Sequence, residues 1–240
     1  MSRISPQLDS VKQIIAETAL AAGRQPDEVS LVAVTKTHPP ETIREAIDAG
    51  QLLFGENRVQ EARAKIPLLP AKARWHLIGH LQKNKIRAAL PLFELIHGVD
   101  ALALARDIDR VAGELGLFPK ILLEVNVAGE ATKFGFKPEQ IRADIEALLA
   151  LERLQIEGLM TIAPIVEKPD DARKYFATLR ELRDALQSEY RIRLPELSMG
   201  MSGDYTAAIR EGATMVRVGT AIFGPRSGKN LRASDALSGD

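Results

Sequence analysis

The sequence predicts one α/β domain, a closed (β/α)8 TIM barrel with an additional helix at its N-terminal end. Three observations carry this expectation. Short strand-forming runs alternate with amphipathic helical stretches along most of the 240 residues, and such alternation implies right-handed crossovers and a parallel sheet. Eight of these units occupy roughly 220 residues, the usual size of a closed barrel. The first strand-to-helix turn lacks a GxGxxG pattern, which argues against the competing fold, a doubly wound open sheet.

Each element has its own signal. Residues 8–23 carry Leu8, Val11, Ile14, Ile15 and Ala19 at helical spacing and form the additional helix. The first strand is 31–36, a run of uncharged residues closed by Lys36. Pro39 and Pro40 open a helix that runs to Ala49, and Gly50 stops it. Strand two (52–55) precedes a charged helix at 58–66, and strand three (75–79) a helix at 81–90. Strand four (93–99) leads to a helix over 101–116, with Asp100 as N-cap and Gly116 as stop. Strand five (120–127) precedes a helix that starts at Pro138 and runs to residue 152. Strands six (155–161) and seven (196–200) precede helices at 170–188 and 203–212, and residues 215–220 form the last strand. No linker, repeat or low-complexity block divides the chain. The barrel is expected over residues 1–226 and a flexible tail over 227–240.

Composition narrows the function classes. Apolar residues make up 45% and charged residues 27%, ordinary for a soluble globule with a substantial core. The 32 basic and 32 acidic residues balance, which argues against broad binding to nucleic acid or an anionic membrane. The absence of cysteine excludes disulfides, thiol catalysis and cysteine-ligated metals. The histidines, His38, His76, His80 and His97, are scattered, and no HExxH pattern surrounds the i, i+4 pair His76 and His80, so no metal site is expected. The N-terminus lacks the apolar segment of a signal peptide. No apolar run approaches the roughly 20 residues that span a bilayer. A cytoplasmic location is expected.

In a (β/α)8 barrel the active site lies at the C-terminal ends of the strands. Polar and glycine residues gather there: Thr35-Lys36, Gly55-Glu56-Asn57-Arg58, Gly79-His80, Asn126, Thr161, Ser202-Gly203-Asp204 and Gly219-Thr220. A lysine at the mouth of a buried strand is costly unless it has a task. Burial lowers an amine's pKa, and a neutral amine forms a Schiff base with an aldehyde. The bland alternative is a lysine that ends an ordinary strand and points into water. The loops after strands seven and eight form the common phosphate site of this fold. Ser202-Gly203 stands at a helix start, and Gly219-Thr220 adds a closely approachable backbone and a hydroxyl. Alone, Ser202 reads equally as a helix cap and Gly219 as a tight turn. Asp204 opposes a phosphate unless its carboxylate turns away. An aldehyde bearing a phosphate, held at both ends, is the arrangement of pyridoxal 5′-phosphate (PLP). Arg217 lies two residues before Gly219 on the same face. Beside a pyridine nitrogen it would keep that nitrogen unprotonated; otherwise it makes a buried salt bridge.

Several long motifs sharpen this picture. They are Val32-Ala33-Val34-Thr35-Lys36, Phe54-Gly55-Glu56-Asn57-Arg58-Val59-Gln60-Glu61 and Trp75-His76-Leu77-Ile78-Gly79-His80-Leu81-Gln82-Lys83-Asn84-Lys85. To these add Gly158-Leu159-Met160-Thr161, Leu197-Ser198-Met199-Gly200-Met201-Ser202-Gly203-Asp204 and Val216-Arg217-Val218-Gly219-Thr220-Ala221-Ile222-Phe223-Gly224. Together the chain resembles the YggS/PROSC family of PLP homeostasis proteins over about residues 8–226, with no departure at these positions. The resemblance implies a barrel like the N-terminal domain of alanine racemase and PLP as an internal aldimine on Lys36. It also implies phosphate contacts from Ser202, Gly203, Gly219 and Thr220, and Arg217 at the pyridine nitrogen. Asn57, His76 and Met199 would complete the cofactor's surround.

The family is regarded as a PLP carrier or regulator without established catalysis. A racemase needs a second base opposite the lysine, and the sequence shows no evident acid there. Of Tyr175, Tyr190 and Tyr205, only Tyr205 falls near the rim. A non-catalytic PLP carrier that supplies PLP-dependent apoenzymes is therefore expected, against the alternative of a racemase-like PLP enzyme. Lys83, Lys85, Arg87, Lys133 and Lys137 form either a solvated face or a patch that draws in the cofactor or docks a recipient. A monomer is expected, since no apolar strip is surplus to the barrel.

Overall fold

Eight parallel strands close on themselves in sequence order, in a computed structural model that describes residues 4–130 and 132–225. The expected tail, 227–240, lies outside the described residues. Helix α1 (Ile4–Ala21) leads into β1 (Ser30–Val34), α2 (Pro40–Asp48), β2 (Leu53–Glu56), α3 (Val59–Lys65) and β3 (Arg74–His80). Then follow α4 (Ile86–Ala89), β4 (Leu95–Val99), α5 (Leu102–Leu115), β5 (Lys120–Glu124), α6 (Pro138–Leu149) and β6 (Gln155–Met160). The last elements are α7 (Arg173–Tyr190), β7 (Glu196–Met201), α8 (Tyr205–Arg210), β8 (Met215–Val218) and α9 (Thr220–Phe223). Strand β8 pairs with β1 through Leu31↔Val216 and Val32↔Arg217, which seals the ring.

Side chains alternate across each strand, so one face turns to the barrel interior and the other to the helices. Val32, Val34, Ile78, Leu95, Leu122, Met160 and Met215 fill the barrel interior. Their neighbours, such as Ala33, Leu77, Ile96, Ile121, Leu123 and Val216, face the helices and join the larger outer core. A fully buried leucine or isoleucine contributes about 1.5–3 kcal/mol. Helix α1 adds its Leu8, Val11, Ile15 and Ala19 face to that core and packs on α8 and α9, outside the seam that closes the ring. Strands β6 and β7 approach closely at Gly158, where a Cβ would lie 1.9 Å from the Glu196 carbonyl oxygen.

The barrel expectation holds, and the differences lie at element ends and in one shortened helix. Asp100 does not cap α5: Ala101 occupies that place with no side-chain cap, and the Asp100 carboxylate pairs with His80 Nδ1 at 3.1 Å. The helix expected over 81–90 is a 3-10 turn, Lys83–Lys85, followed by the single turn of α4. Strand β5 stops at Glu124, because Val125 makes only an isolated bridge to Phe136. Strand β8 stops at Val218, and Thr220 opens α9 instead of ending the strand.

Candidate functional site

Lys36 stands two residues past the end of β1, half-buried at the C-terminal mouth of the barrel. Its chain is gripped on both sides. Lys65 Nζ donates to the Thr35 carbonyl at 2.8 Å and to Glu56 Oε1 at 3.0 Å, and it also pairs closely with Glu61. Thr35 Oγ1 donates to the same Glu56 oxygen at 2.7 Å. On the far side, Glu61 Oε1 accepts the Thr37 N–H at 2.6 Å. Thr37 has φ 66, a left-handed conformation that a β-branched residue adopts only under constraint. Burial pushes the Glu56 carboxyl up to about 6 against the pull of Lys65.

The seventh and eighth loops meet beside this grip, because β8 pairs with β1 and Gly219 packs against Val34 at the end of that strand. Ser202 Oγ accepts the Gly219 N–H at 3.2 Å, which ties the two loops together. Gly203 is exposed, and a Cβ there would meet nothing within 4 Å. Asp204, two residues past Ser202, turns its Oδ1 back to the Met201 N–H at 2.6 Å. Its carboxylate is thereby engaged within its own loop.

Beneath the rim, Arg217 is 4% exposed. Among the described residues it forms no salt bridge: Nη1 donates to Ser198 Oγ at 2.6 Å and Nη2 to the Thr161 carbonyl at 2.9 Å. Burial lowers its pKa to about 10. Ser198 Oγ lies 2.9 Å from His97 Nδ1, and His97 Nε2 lies 3.0 Å from His76 Nδ1. Burial lowers His76 to about 4 and His97 well below the usual imidazole range. Both rings are therefore neutral, with one donor and one acceptor each. The chain is satisfied when Ser198 donates to His97 and His97 to His76, and it fixes the Arg217 guanidinium from below.

A cavity of about 1360 Å³ opens at the mouth, and its wall includes Lys36, Asn57, Ser202, Arg217, Gly219 and Thr220. The structure thus brings together six of the nine residues singled out in the sequence. Gly203, His76 and Met199 are not in the wall. Gly203 lies at the rim next to Ser202. His76 faces the interior but sits four residues before the end of β3, about 13 Å below it at strand rise. Met199 is fully buried in the outer core, on the helix side of β7. Tyr205 likewise packs into the outer core, away from the wall.

Sequence reasoning missed Glu124. It ends β5, lines the cavity and is 7% exposed. In an eight-stranded ring β5 lies diametrically across from β1, so Glu124 faces Lys36 across the mouth. The expectation that no acid stands opposite the lysine is corrected here. The available signal was a single acid inside the apolar run Ile121-Leu122-Leu123-Glu124-Val125. Burial, reinforced by Asp100, raises the Glu124 carboxyl to about 7. Nearby, His80 stacks on Phe134 with ring centroids 4.2 Å apart. The hydrogen bond to Asp100 raises the His80 pKa. Asn126 organises the following loop through Nδ2 to the Glu130 carbonyl at 2.8 Å.

Much of the basic patch is neutralised. Lys83 pairs with Asp107 at 2.9 Å, Lys133 with Glu130 at 2.8 Å, and Arg87 with Glu114. Lys85 and Lys133 reach the cavity wall, while Lys137 is exposed. Among the described residues, no group of three or more His, Asp or Glu side chains could hold a metal ion, and no helix is long and apolar enough to cross a membrane.

Fold and rim together define a barrel of the alanine racemase N-terminal class, and the family model of that description matches residues 8–227. An alanine racemase from Clostridium difficile is 15% identical with a TM-score of 0.68, over 93% of this chain and 59% of that one, and shows the fold alone. Within this class, the chain belongs to the family of pyridoxal phosphate homeostasis proteins. The protein of that name from Aquifex aeolicus is 45% identical over 221 residues, covering 92% of this chain and 97% of that one. PipY of Synechococcus elongatus, solved with PLP bound, is 46% identical with a TM-score of 0.77, over 88% of this chain and 100% of that one.

Proposed function

We propose that this protein binds PLP as a Schiff base on Lys36 and serves PLP homeostasis in the cytoplasm. It buffers the cofactor and delivers it to PLP-dependent apoenzymes, without catalysis of its own, as a monomer. The observation that carries this reading is one cavity shared by Lys36, the tied loops at Ser202 and Gly219, and Arg217.

The residues present fit a phosphorylated aldehyde. Lys36 supplies the amine, and its gripped backbone fixes where that amine stands. Ser202, Gly203, Gly219 and Thr220 offer a hydroxyl pair and open space for a phosphate at the β7–β8 side of the mouth. Arg217, held by Ser198 and Thr161, is the residue that would hold the ring nitrogen of bound PLP, and its permanent charge would disfavour a proton there. Asn57 lines the wall beside Lys36. In this reading His76 acts through His97 and Ser198 on Arg217, and Met199 backs the outer wall of β7. PLP, when bound, supplies an aldehyde that a primary amine can take over.

Borohydride reduction tests the linkage. It should add the cofactor's mass to the loaded protein and leave Lys36→Ala unmodified; equal labelling of both would overturn the assignment. Mixing loaded protein with a PLP-dependent apoenzyme tests delivery, and activation no faster than with free PLP counts against it.

A second reading, a racemase-like PLP enzyme, is favoured by one observation: the carboxyl of Glu124 across the mouth from Lys36. Measured inversion of L- or D-amino acids that is lost in Glu124→Gln would establish it.

A further inference from the structure

Glu124 differs from the other buried acids of the barrel. The Glu56 carboxylate accepts from Thr35 and Lys65, and Glu211 from Arg173 and Arg180. Glu124 is 7% exposed and lines the cavity, yet no described residue donates a hydrogen bond to it or forms an ion pair with it. Its carboxyl opens on the cavity, and burial makes the ionised form costly until a donor meets it. Three charged groups act on it: Asp100 from β4, His80 from β3 and Arg217 from β8. The imidazole of His80 is committed to Asp100 at 3.1 Å, and Arg217 is committed to Ser198 and Thr161. Neither turns a donor to Glu124. The acceptor therefore waits for a donor from the cavity.

We propose that the β3–β5 wall of the cavity is a second binding site, for the ammonium group of a primary amine, with Glu124 as its acceptor. An ammonium brings both a charge and three donors, and charge-assisted bonds to a carboxylate are the strong class. Ile78, Ile162 and Phe134 line the same cavity and offer apolar contact to the amine's carbon stem. The preference for an amine over a hydroxyl or amide rests partly on the proposed aldehyde at Lys36. A primary amine is the class of molecule that accepts an aldehyde from a lysine, and this site seats one directly across the mouth from it.

The test needs no cofactor. In apoprotein carrying ¹³C-carboxyl glutamate, the Glu124 resonance is assigned by its loss in Glu124→Gln and its loss in Glu124→Asp. It is then titrated with ethylammonium chloride, and with tetramethylammonium chloride at equal ionic strength. Ethylammonium should lower the Glu124 midpoint by log(1+[L]/Kd), about 0.6 pH unit at three times Kd. Tetramethylammonium, which has no N–H, should leave it in place. Equal shifts from both salts, or no shift with ethylammonium, overturn the site. A Lys36→Ala protein that shows the same ethylammonium shift but resists reductive labelling keeps the two ideas apart. Labelling of Lys36 with no amine shift sinks the amine site alone. An amine shift with no labelling sinks the Schiff-base reading and leaves the cation site standing.

Discussion

Lys65 Nζ lies 2.8 Å from the carbonyl oxygen of Thr35, so a helix side chain holds the peptide that immediately precedes Lys36. The same ammonium reaches Glu56 at 3.0 Å and pairs with Glu61, which in turn takes the Thr37 N–H at 2.6 Å. A single buried cation thus couples both backbone neighbours of Lys36 to α3. One Glu56 oxygen, Oε2, is left without a partner in this network, which fits a site tuned for position at some cost in stability.

Removing that cation should cost both stability and site geometry. Lys65→Met strands two carboxylates, one of them fully buried. Breaking a buried pair costs about 3–5 kcal/mol, and the lower end is expected because Glu56 can take up a proton. Urea unfolding measures the loss. At a urea-free concentration where the variant stays folded, PLP should be retained less tightly than by wild type. Retention at wild-type affinity would show that the grip on Thr35 does not position Lys36.

Thr37 offers a sharper probe of the strain. Thr37→Gly relieves about 1–2 kcal/mol of left-handed penalty and adds about 0.5–1 kcal/mol of chain entropy. The net change should be a small stabilisation, within about 1 kcal/mol. Thr37→Pro removes the N–H that Glu61 holds and forbids φ 66, so it should cost about 3 kcal/mol or more. Thermal or urea unfolding of the pair decides. A large loss from Thr37→Gly would mean that the hydroxyl or methyl, not the backbone, matters there.

Gly79 links packing to the cavity wall. A Cβ at this position would lie 2.5 Å from the Asn57 carbonyl oxygen and 3.0 Å from its Cα. Backbone cannot yield as a side-chain tip does, so Gly79→Ala should push the β2 end outward at about 1–3 kcal/mol and move Asn57 with it. PLP affinity should fall as well. Gly113→Ala is the control: it lies within α5 with nothing within 4 Å of its Cβ, and should stabilise by up to about 1 kcal/mol. Calorimetric melting and PLP titration of both variants test the contrast.

These sites also show what was legible in the sequence. The barrel was, because strand and helix periods alternate along the chain, and the alternation itself assigns the C-terminal rim. Lys36, Ser202 and Gly219 follow directly from that rim. Depth and facing were less legible. The strands are buried on both faces, so no polar–apolar alternation marks which side of β7 points inward. Ser198 faces Arg217 while Met199 faces the helices, and the sequence Leu197-Ser198-Met199-Gly200 reads alike either way. His76 and His80 share one face of β3, but only His80 is high enough to line the cavity. Asp100 looked like a helix cap because capping is a local rule; its real partner, His80, is brought in by the pairing of β3 with β4.

The pH dependence of stability should report Glu124 with a definite sign. Its carboxyl is raised from 4.5 to about 7 by burial first and by Asp100 next, against Arg217 and His80. Between those values the folded protein holds a proton that the unfolded chain releases. Stability from this group is therefore present below pH 4.5 and is lost as pH rises towards 7. His76 works the other way: lowered from 6.5 to about 4, it favours the folded state increasingly as pH rises over that range. The two effects overlap, so the raw stability curve of wild type does not isolate either. The difference between wild type and Glu124→Gln does. Wild type should lose stability relative to the variant by up to about 3 kcal/mol between pH 4.5 and 7, and the difference should then level off. Urea unfolding at half-unit pH steps measures it. A flat difference would mean that Glu124 ionises at its ordinary value, and the carboxyl would then lack the dry setting that makes it an acceptor in wait.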